Sequence, residues 1–228
     1  MATKPSRRFS KCLEMVDRTK RYPVAAAMEL LKSIPSPRFA ETVEVAVRLG
    51  IDPKKTDQLV RGSVSLPKGT GKEVRIAVFA EGDKAKEAQE AGADIVGAAD
   101  LAEKIEGGFL DFDMTIAAPD MMKYVGKLGR VLGPQGKMPS PKAGTVTPNV
   151  GAAVREFKAG KIEFRTDAGA NVHAAIGRKS FSAGDLAANL TAFVDHVRGL
   201  KPPQAKGTFI RKVSVSSTMG PGIMVELE

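Results

Sequence analysis

The stretch that most restricts the fold is Glu41 to Leu49, ETVEVAVRL. Val43, Val45, Val47 and Leu49 fall on one face, and Thr42, Glu44, Ala46 and Arg48 on the other. A period of two marks a strand with one face on a core and one in water. Patterned segments of the same kind stand at both ends of the chain. Val24 to Lys32 has helical composition and apolar spacing, and the two prolines of SIPSP stop it. Leu59 to Leu66 is expected as a second strand. Lys161 to Arg165 alternates again, with Asn171 to Ile176 expected to pair with it as a hairpin. A helix from Gly184 to Leu200 ends at KPPQ, and GTFIRKVSVSSTMGPGIMVELE reads as two strands around a Gly/Pro turn. The flanks follow the pattern of one α+β domain built from both ends of the chain.

Between the flanks the rhythm changes. Val74 to Ala80 reads as a strand, Asp83 to Ala91 as a helix, and AGADIVG as a short strand. Asp100 to Glu106 is helical, MTIAA is a third strand, and PDMMKYVGKL opens a helix with Pro119 in its first turn. Thr147 to Lys158 is expected as a further helix. Strands alternating with helices predict an open, mostly parallel α/β sheet.

Charge divides the chain in the same way. Residues 68–158 hold 13 Lys and Arg against 13 Asp and Glu, whereas the flanks hold 22 against 13 and carry the whole net charge of +9. Such an excess suits a polyanionic partner, either nucleic acid or an anionic membrane surface. No apolar run approaches the ~18 residues that span a bilayer. The basic N-terminus lacks the apolar core of a secretory signal. A single cysteine, Cys12, excludes an internal disulfide and any Cys-clustered zinc site, and fits a reducing cytoplasm.

Catalytic chemistry finds little support. Neither His173 nor His196 sits in a metal-binding or triad motif, so no metal and no cofactor are expected. EGDKAKEAQEAG, after the first middle strand, lacks the G-x-G-x-x-G turn of a dinucleotide site. GPQGK imitates a phosphate loop but has Val131 and Met138 where glycine and Ser or Thr are required. A nucleotide-using α/β enzyme therefore stands as the first alternative, and a general basic DNA-binding or membrane-surface protein as the second. GPQG also matches the G-x-x-G loop of KH domains, a tetrapeptide of low specificity. Asn189-Leu190-Thr191 is a formal glycosylation sequon on an expected helix and is set aside.

Five long stretches together resemble the ribosomal protein L-one family. They are RFAETVEVAVRLGIDPKKTDQLVRGSVSLPKGTGK, AGADIVG, LGRVLGPQGKMPSPKAGTV, AGKIEFRTDAGANVHAAIG and GTFIRKVSVSSTMGP, spread over residues 38 to 221. The resemblance implies an α/β fold of two domains. One is a discontinuous, basic α+β two-layer domain of residues 1–67 plus 159–228 that binds RNA. The other is an inserted open α/β (Rossmann-like) domain of residues 68–158, joined by two short hinges. It further implies a non-enzymatic constituent of the cytoplasmic ribosome, monomeric when free and without a membrane partner. Its partners would be large-subunit ribosomal RNA at the lateral stalk, tRNA at the exit site, whose release it assists, and its own operon mRNA, whose translation it represses.

On residue chemistry alone, Ser216, Ser217, Thr218, Met219 and Gly220 are either an RNA contact or a plain hairpin turn; the resemblance favours RNA. Hydroxyls donate and accept, which suits 2′-OH and phosphate oxygens. Gly220 allows close backbone approach. Arg38, Phe39, Thr42 and Glu44 open the first strand, with Phe39 either in the core or beneath the RNA surface. Lys161, Glu163, Arg165 and Asp167 lie on or beside KIEFR, with Arg165 expected on phosphate. His173, Thr208 and Arg211 complete the set. Arg130, Lys137 and Lys142 surround GPQGKMPSPKAG, which is either a second RNA contact or a solvated basic loop. With aromatics at 5%, the chain lacks rings for a base-stacking platform, so shape and backbone recognition is expected.

Overall fold

The computed structural model describes residues 6–226. In chain order its main elements are α1 (Arg7–Met15), β1 (Tyr22–Pro23), α2 (Val24–Ser33), β2 (Thr42–Leu49), β3 (Arg61–Ser65) and β4 (Ile76–Phe79). Then follow α3 (Asp83–Glu90), β5 (Ile95–Gly97), α4 (Ala99–Glu106), β6 (Met114–Ala117), α5 (Met122–Val125), α6 (Gly129–Leu132) and α7 (Val150–Lys158). The last are β7 (Lys161–Arg165), β8 (Asn171–Arg178), α8 (Ala183–Gly199), β9 (Ile210–Ser217) and β10 (Ile223–Glu226). The fold is mixed α/β. None of the helices is long and apolar enough to cross a membrane among the described residues.

The chain forms two compact units, Met1–Gly71 with Ile162–Glu228, and Lys72–Lys161. Their seams lie a few residues beyond the expected 67/68 and 158/159. Asn189 explains the first shift. Its side chain is fully buried, its Oδ1 accepts from the Lys68 N–H at 3.0 Å, and its Nδ2 donates to the carbonyls of Gly69 (2.9 Å) and Ile176 (2.8 Å). The segment after Pro67 is thus stitched to α8. At the second seam, Lys161 extends its ammonium to Glu156 at 2.6 Å and over the Phe157 ring, which keeps it with α7. Exchanging Lys68 for Lys161 leaves the middle unit at 13 cations and 13 acids.

The first unit is a five-stranded sheet, ordered β1-β10-β9-β2-β8, with α2 and α8 on one face. The alternation of β2 explains its central place. Val43, Val45, Val47 and Leu49 are buried with Val172, Ile176, Val213 and Val215 of its neighbours, under Met28 and Leu31 of α2 and Leu190, Phe193 and Val197 of α8. A slip of one residue would drive Glu44 and Arg48 into that core, so the register is strongly specified.

The expected hairpin of β7 with β8 does not form. Strand β7 pairs with β3 in a separate two-stranded sheet, and β8 pairs with β2. The turn between them does close, through the Asp167 N–H to the Asn171 carbonyl at 2.8 Å and one bridge between Thr166 and Val172. Beyond that bridge Val172, Ala174 and Ile176 join the core that β2 faces, and burial decides the partner. Helix α1 is a further difference. It occupies the expected basic leader, capped by Ser6, whose Oγ accepts from the Phe9 N–H at 3.3 Å.

The second unit is a three-stranded parallel sheet, β5-β4-β6, with β4 buried throughout. The helix expected from Pro119 is broken into short α and 3₁₀ turns over residues 119–132, where Gly126 and Gly129 weaken helix formation. Helix α7 starts at Val150 rather than Thr147. Pro148 stands outside it, and the Asn149 side chain caps it by accepting from the Ala152 N–H at 3.2 Å.

Candidate nucleic-acid interface

The face of the five-stranded sheet opposite α2 and α8 carries the polar half of each alternation. Register aligns it in rows. Met224, Ser214, Ala46 and His173 lie side by side across β10, β9, β2 and β8. Ser216, Glu44 and Ala175 form the next row, and Lys212, Arg48 and Asn171 another. With strands about 4.8 Å apart, a row of four is roughly 14 Å wide. Glu44, Arg48, His173 and Lys212 are exposed, and Thr42, Asn171, Ser214 and Ser216 half-buried. The register skips Arg211 between Ile210 and Lys212, a bulge that leaves its side chain exposed. Thr208 is exposed just before the strand, and its carbonyl lies where a side chain on Gly50 would have to pass.

The Ser217–Gly220 turn closes the end of this face. The Gly220 N–H donates to the Ser217 carbonyl at 2.9 Å. Thr218 continues the ladder: its N–H donates to the Thr42 carbonyl at 3.0 Å, and its Oγ1 accepts from the Thr42 N–H at 3.0 Å. Met219 is 50% exposed and Phe39 52%, so Phe39 is not a core residue. Arg38 is exposed beside it.

Ser217 differs from expectation. It is buried, and its hydroxyl donates to Glu41 Oε1 at 3.2 Å, so it does not present itself at the surface. Gly220 also has a different use. A Cβ there would stand 2.4 Å from Ser217 Oγ, so the room it leaves is filled by that hydroxyl.

Glu41, which sequence reasoning passed over, holds the turn from beneath. Its carboxylate is buried and accepts from Ser217 Oγ, from the Met219 N–H at 3.0 Å and from the Lys179 ammonium at 3.3 Å. Lys179 also donates to the Ile34 carbonyl at 2.6 Å. From α1, Arg8 donates to the Met219 carbonyl at 2.8 Å and the Pro35 carbonyl at 2.9 Å. The only local sign was a carboxylate in phase with the buried valines, two residues before Val43. Its partners lie more than a hundred residues away.

The KIEFR residues stand apart, on the β3–β7 pair. Glu163 and Arg165 are exposed there, and packing around the Glu163 carboxyl raises its pKa against the pull of Arg61 and Arg165. Asp167 serves the following turn. Its Oδ1 accepts from the N–H groups of Asn171 (2.7 Å) and Gly169 (2.8 Å), and His173 Nε2 lies 3.4 Å from its Oδ2. The backbone N–H of Asn171 is the largest cause holding Asp167 below the usual carboxylate range, followed by the Asn171 side chain. His196 is half-buried against the edge of Phe164. In the second unit Arg130 and Lys142 are exposed, whereas Lys137 turns inward, donating to the Leu110 carbonyl at 3.1 Å and lying over the Phe112 ring.

Fold and face together describe a mixed α/β protein that presents a polar sheet surface and a braced turn. Residues 30–221 match the model of the Ribosomal protein L1p/L10e family. The chain is 56% identical over 214 residues to large ribosomal subunit protein uL1 of Alkalilimnicola ehrlichii, covering 94% of this chain and 93% of that one. It is also 56% identical over 224 residues to the uL1 protein of Bordetella pertussis, covering 98% and 97%. The chain belongs to the ribosomal protein L1p/L10e family, a structural and non-enzymatic family.

Proposed function

We propose that this structural constituent of the large ribosomal subunit binds the ribosomal RNA of the lateral stalk with the open face of its five-stranded sheet. The observation that carries the reading is the alignment of Thr42, Glu44 and Ser216 beside a turn that presents Thr218 and Met219. A-form RNA displays 2′-hydroxyls and phosphates along a wide, shallow minor groove, and a flat face of hydroxyls with flanking cations suits that shape. Glu44 accepts from a 2′-OH or base amine. Arg38, Arg211 and, from the β3–β7 pair, Arg165 meet phosphates. Met219 and Phe39 cover sugar or base faces, and His173, Thr208 and Glu163 lie at the margin. Ser217 and Asp167 act through the backbone they hold. Lys161, committed to Glu156, contributes least.

Binding to a stalk fragment across a salt series, with an unrelated duplex of equal length as competitor, tests the proposal. For about 4–6 neutralised phosphates the competitor's log–log slope falls between about −3 and −5. Selective stalk binding that survives rising salt, and that Met219→Ala weakens while the fold stays intact, is the expected result. Equal loss for both RNAs leaves charge alone as the explanation and overturns it.

The same face supports repression of the protein's own operon mRNA, because a surface that reads shape and backbone accepts a similar RNA fold elsewhere. Stalk RNA competing mutually with the operon leader is the expected outcome. The family resemblance supports assistance in the release of deacylated tRNA from the cytoplasmic ribosome, tested by release rates from ribosomes with and without the protein. Sedimentation of the free chain as a monomer is the expected outcome in solution.

A further inference from the structure

The electrical neutrality of the second unit conceals a sharp polarity. Residues 72–120 hold 5 cations and 12 acids, whereas residues 121–161 hold 8 cations and 1 acid. From Met121 to Arg155 there are six cations and no carboxylate. The helical turns over 119–132 concentrate the start of this stretch. Met121, Val125, Leu128 and Leu132 are buried, at spacings of four, three and four residues. Lys123, Lys127 and Arg130, spaced by four and three, are all exposed. Each lies two residues from a buried position, about half a turn away at 3.6 residues per turn. The cations therefore form one stripe facing away from the core. Among the described residues none of the three takes part in an ion pair, and the exposed Lys123 ammonium lies 4.8 Å from the centroid of the neighbouring Tyr124 ring. The acids bounding the segment have their hydrogen-bonded partners elsewhere: Asp120 meets Lys84 at 2.8 Å, with Lys123 adding a weaker attraction, and Glu156 meets Lys161.

Glycine supplies a second, independent observation. Gly126 and Gly129 have ordinary right-handed helical torsions, φ −56 and −55. A Cβ at either would meet nothing within 4 Å. Neither torsion nor packing calls for glycine there, and it is the poorest helix former after proline. What glycine does provide is close access to the backbone from outside. The Gly126 and Gly129 N–H groups already donate within the helical turns, to the Met122 and Gly126 carbonyls, so the glycines contribute open space rather than donors, and an approaching phosphodiester chain takes its hydrogen bonds from the flanking cations.

We infer that the second unit carries its own RNA-backbone contact, formed by Lys123, Lys127 and Arg130 with Gly126 and Gly129 between them. The contact is sequence-independent, because the deep, narrow major groove of A-form RNA keeps Lys and Arg side chains from the base edges and leaves them the phosphates. It excludes Lys137, whose ammonium is turned inward. It takes only the class of partner from the preceding reading, and its residues are separate from the sheet face.

The test uses the full chain with Lys123→Gln, Lys127→Gln and Arg130→Gln together, bound to an unrelated mixed-sequence RNA duplex between about 50 and 200 mM salt. The exposed substitutions should leave the thermal midpoint unchanged and lower the log–log slope by about 2–3 in magnitude. A second chain, with Gly126→Ala and Gly129→Ala, should melt no earlier than the parent yet bind the duplex several-fold more weakly. An unchanged slope in the glutamine variant overturns the inference. So does a loss confined to phosphatidylserine vesicles, which would assign the stripe to a membrane surface. Met219→Ala, run in parallel, keeps the two contacts distinguishable. A reduced slope in the glutamine variant supports the stripe whether or not Met219→Ala affects stalk selectivity.

Discussion

Replacing Lys179 with methionine removes one member of a buried ion pair while nearly preserving volume. Glu41 is 1% exposed and would keep two neutral donors, the Ser217 hydroxyl and the Met219 N–H, but lose its charge partner. Removing one partner of a buried pair costs about 3–5 kcal/mol because the other charge stays buried and uncompensated. The two surviving donors place Lys179→Met at the lower end, about 3 kcal/mol. At roughly 3–4 °C per kcal/mol for a unit of this size, its midpoint should fall by about 10 °C. Because the chain has two units, the measurement is amide exchange at Val43, Val45 and Val215, which belong to the affected core. Glu41→Gln in the same chain removes the stranded charge and should restore about 2 kcal/mol. A loss below about 1 kcal/mol for Lys179→Met, or a double variant no better than the sum of the singles, would refute the reasoning.

Gly220→Ala drives a methyl to within 2.4 Å of Ser217 Oγ and should destabilise the turn by about 1–3 kcal/mol in urea unfolding; adding Ser217→Ala should relieve the collision but leave Glu41 short of a donor. Asn189→Ala strands the Lys68 N–H and the Gly69 and Ile176 carbonyls, so about 2–3 kcal/mol should be lost and exchange of the Lys68 amide should accelerate. The second unit should be acid-labile. Asp113 is held below its ordinary value of 3.8 by a hydrogen bond from Lys72 first, then by the Arg75 N–H. A depressed folded-state pKa contributes stability that is complete above the unfolded value and is lost as pH falls through the folded one. The loss therefore lies below about pH 4, and Asp113→Asn should flatten that part of the melting-temperature profile. An unaltered profile would mean the carboxylate is not linked to folding.

Much of the fold was legible because its causes are local. The valines of β2 and the βα rhythm between Val74 and Ala117 rest on residues a few positions apart, although the Asn149 cap that starts α7 was missed and the helix expected from Thr147. The helix from Ala183 and the two closing strands are of the same kind. Pairing was less legible. Strand β7 carries an alternation that fits any neighbour, so chain proximity suggested β8; the structure instead satisfies β8 at the core edge beside β2 and gives β7 to β3. In the candidate site, residue type pointed to the hydroxyl-rich turn. It could not tell Ser216, half-buried on the open face, from Ser217, buried against Glu41. Nor could it tell Lys137 from Arg130, since both are basic residues near glycines.

By itself the sequence determined where apolar stripes lie, where helices start and stop, how charge is shared between flanks and middle, and which family the chain resembles. Those properties depend on residues a few positions apart, joined by backbone geometry. The tertiary structure alone decided that Glu41 meets Lys179, Ser217 and Met219, that Arg8 reaches across to Met219, and that Asn189 draws the segment after Pro67 onto the first unit. A buried polar group must find a partner wherever the chain brings one, and the fold sets that distance, not the spacing along the sequence.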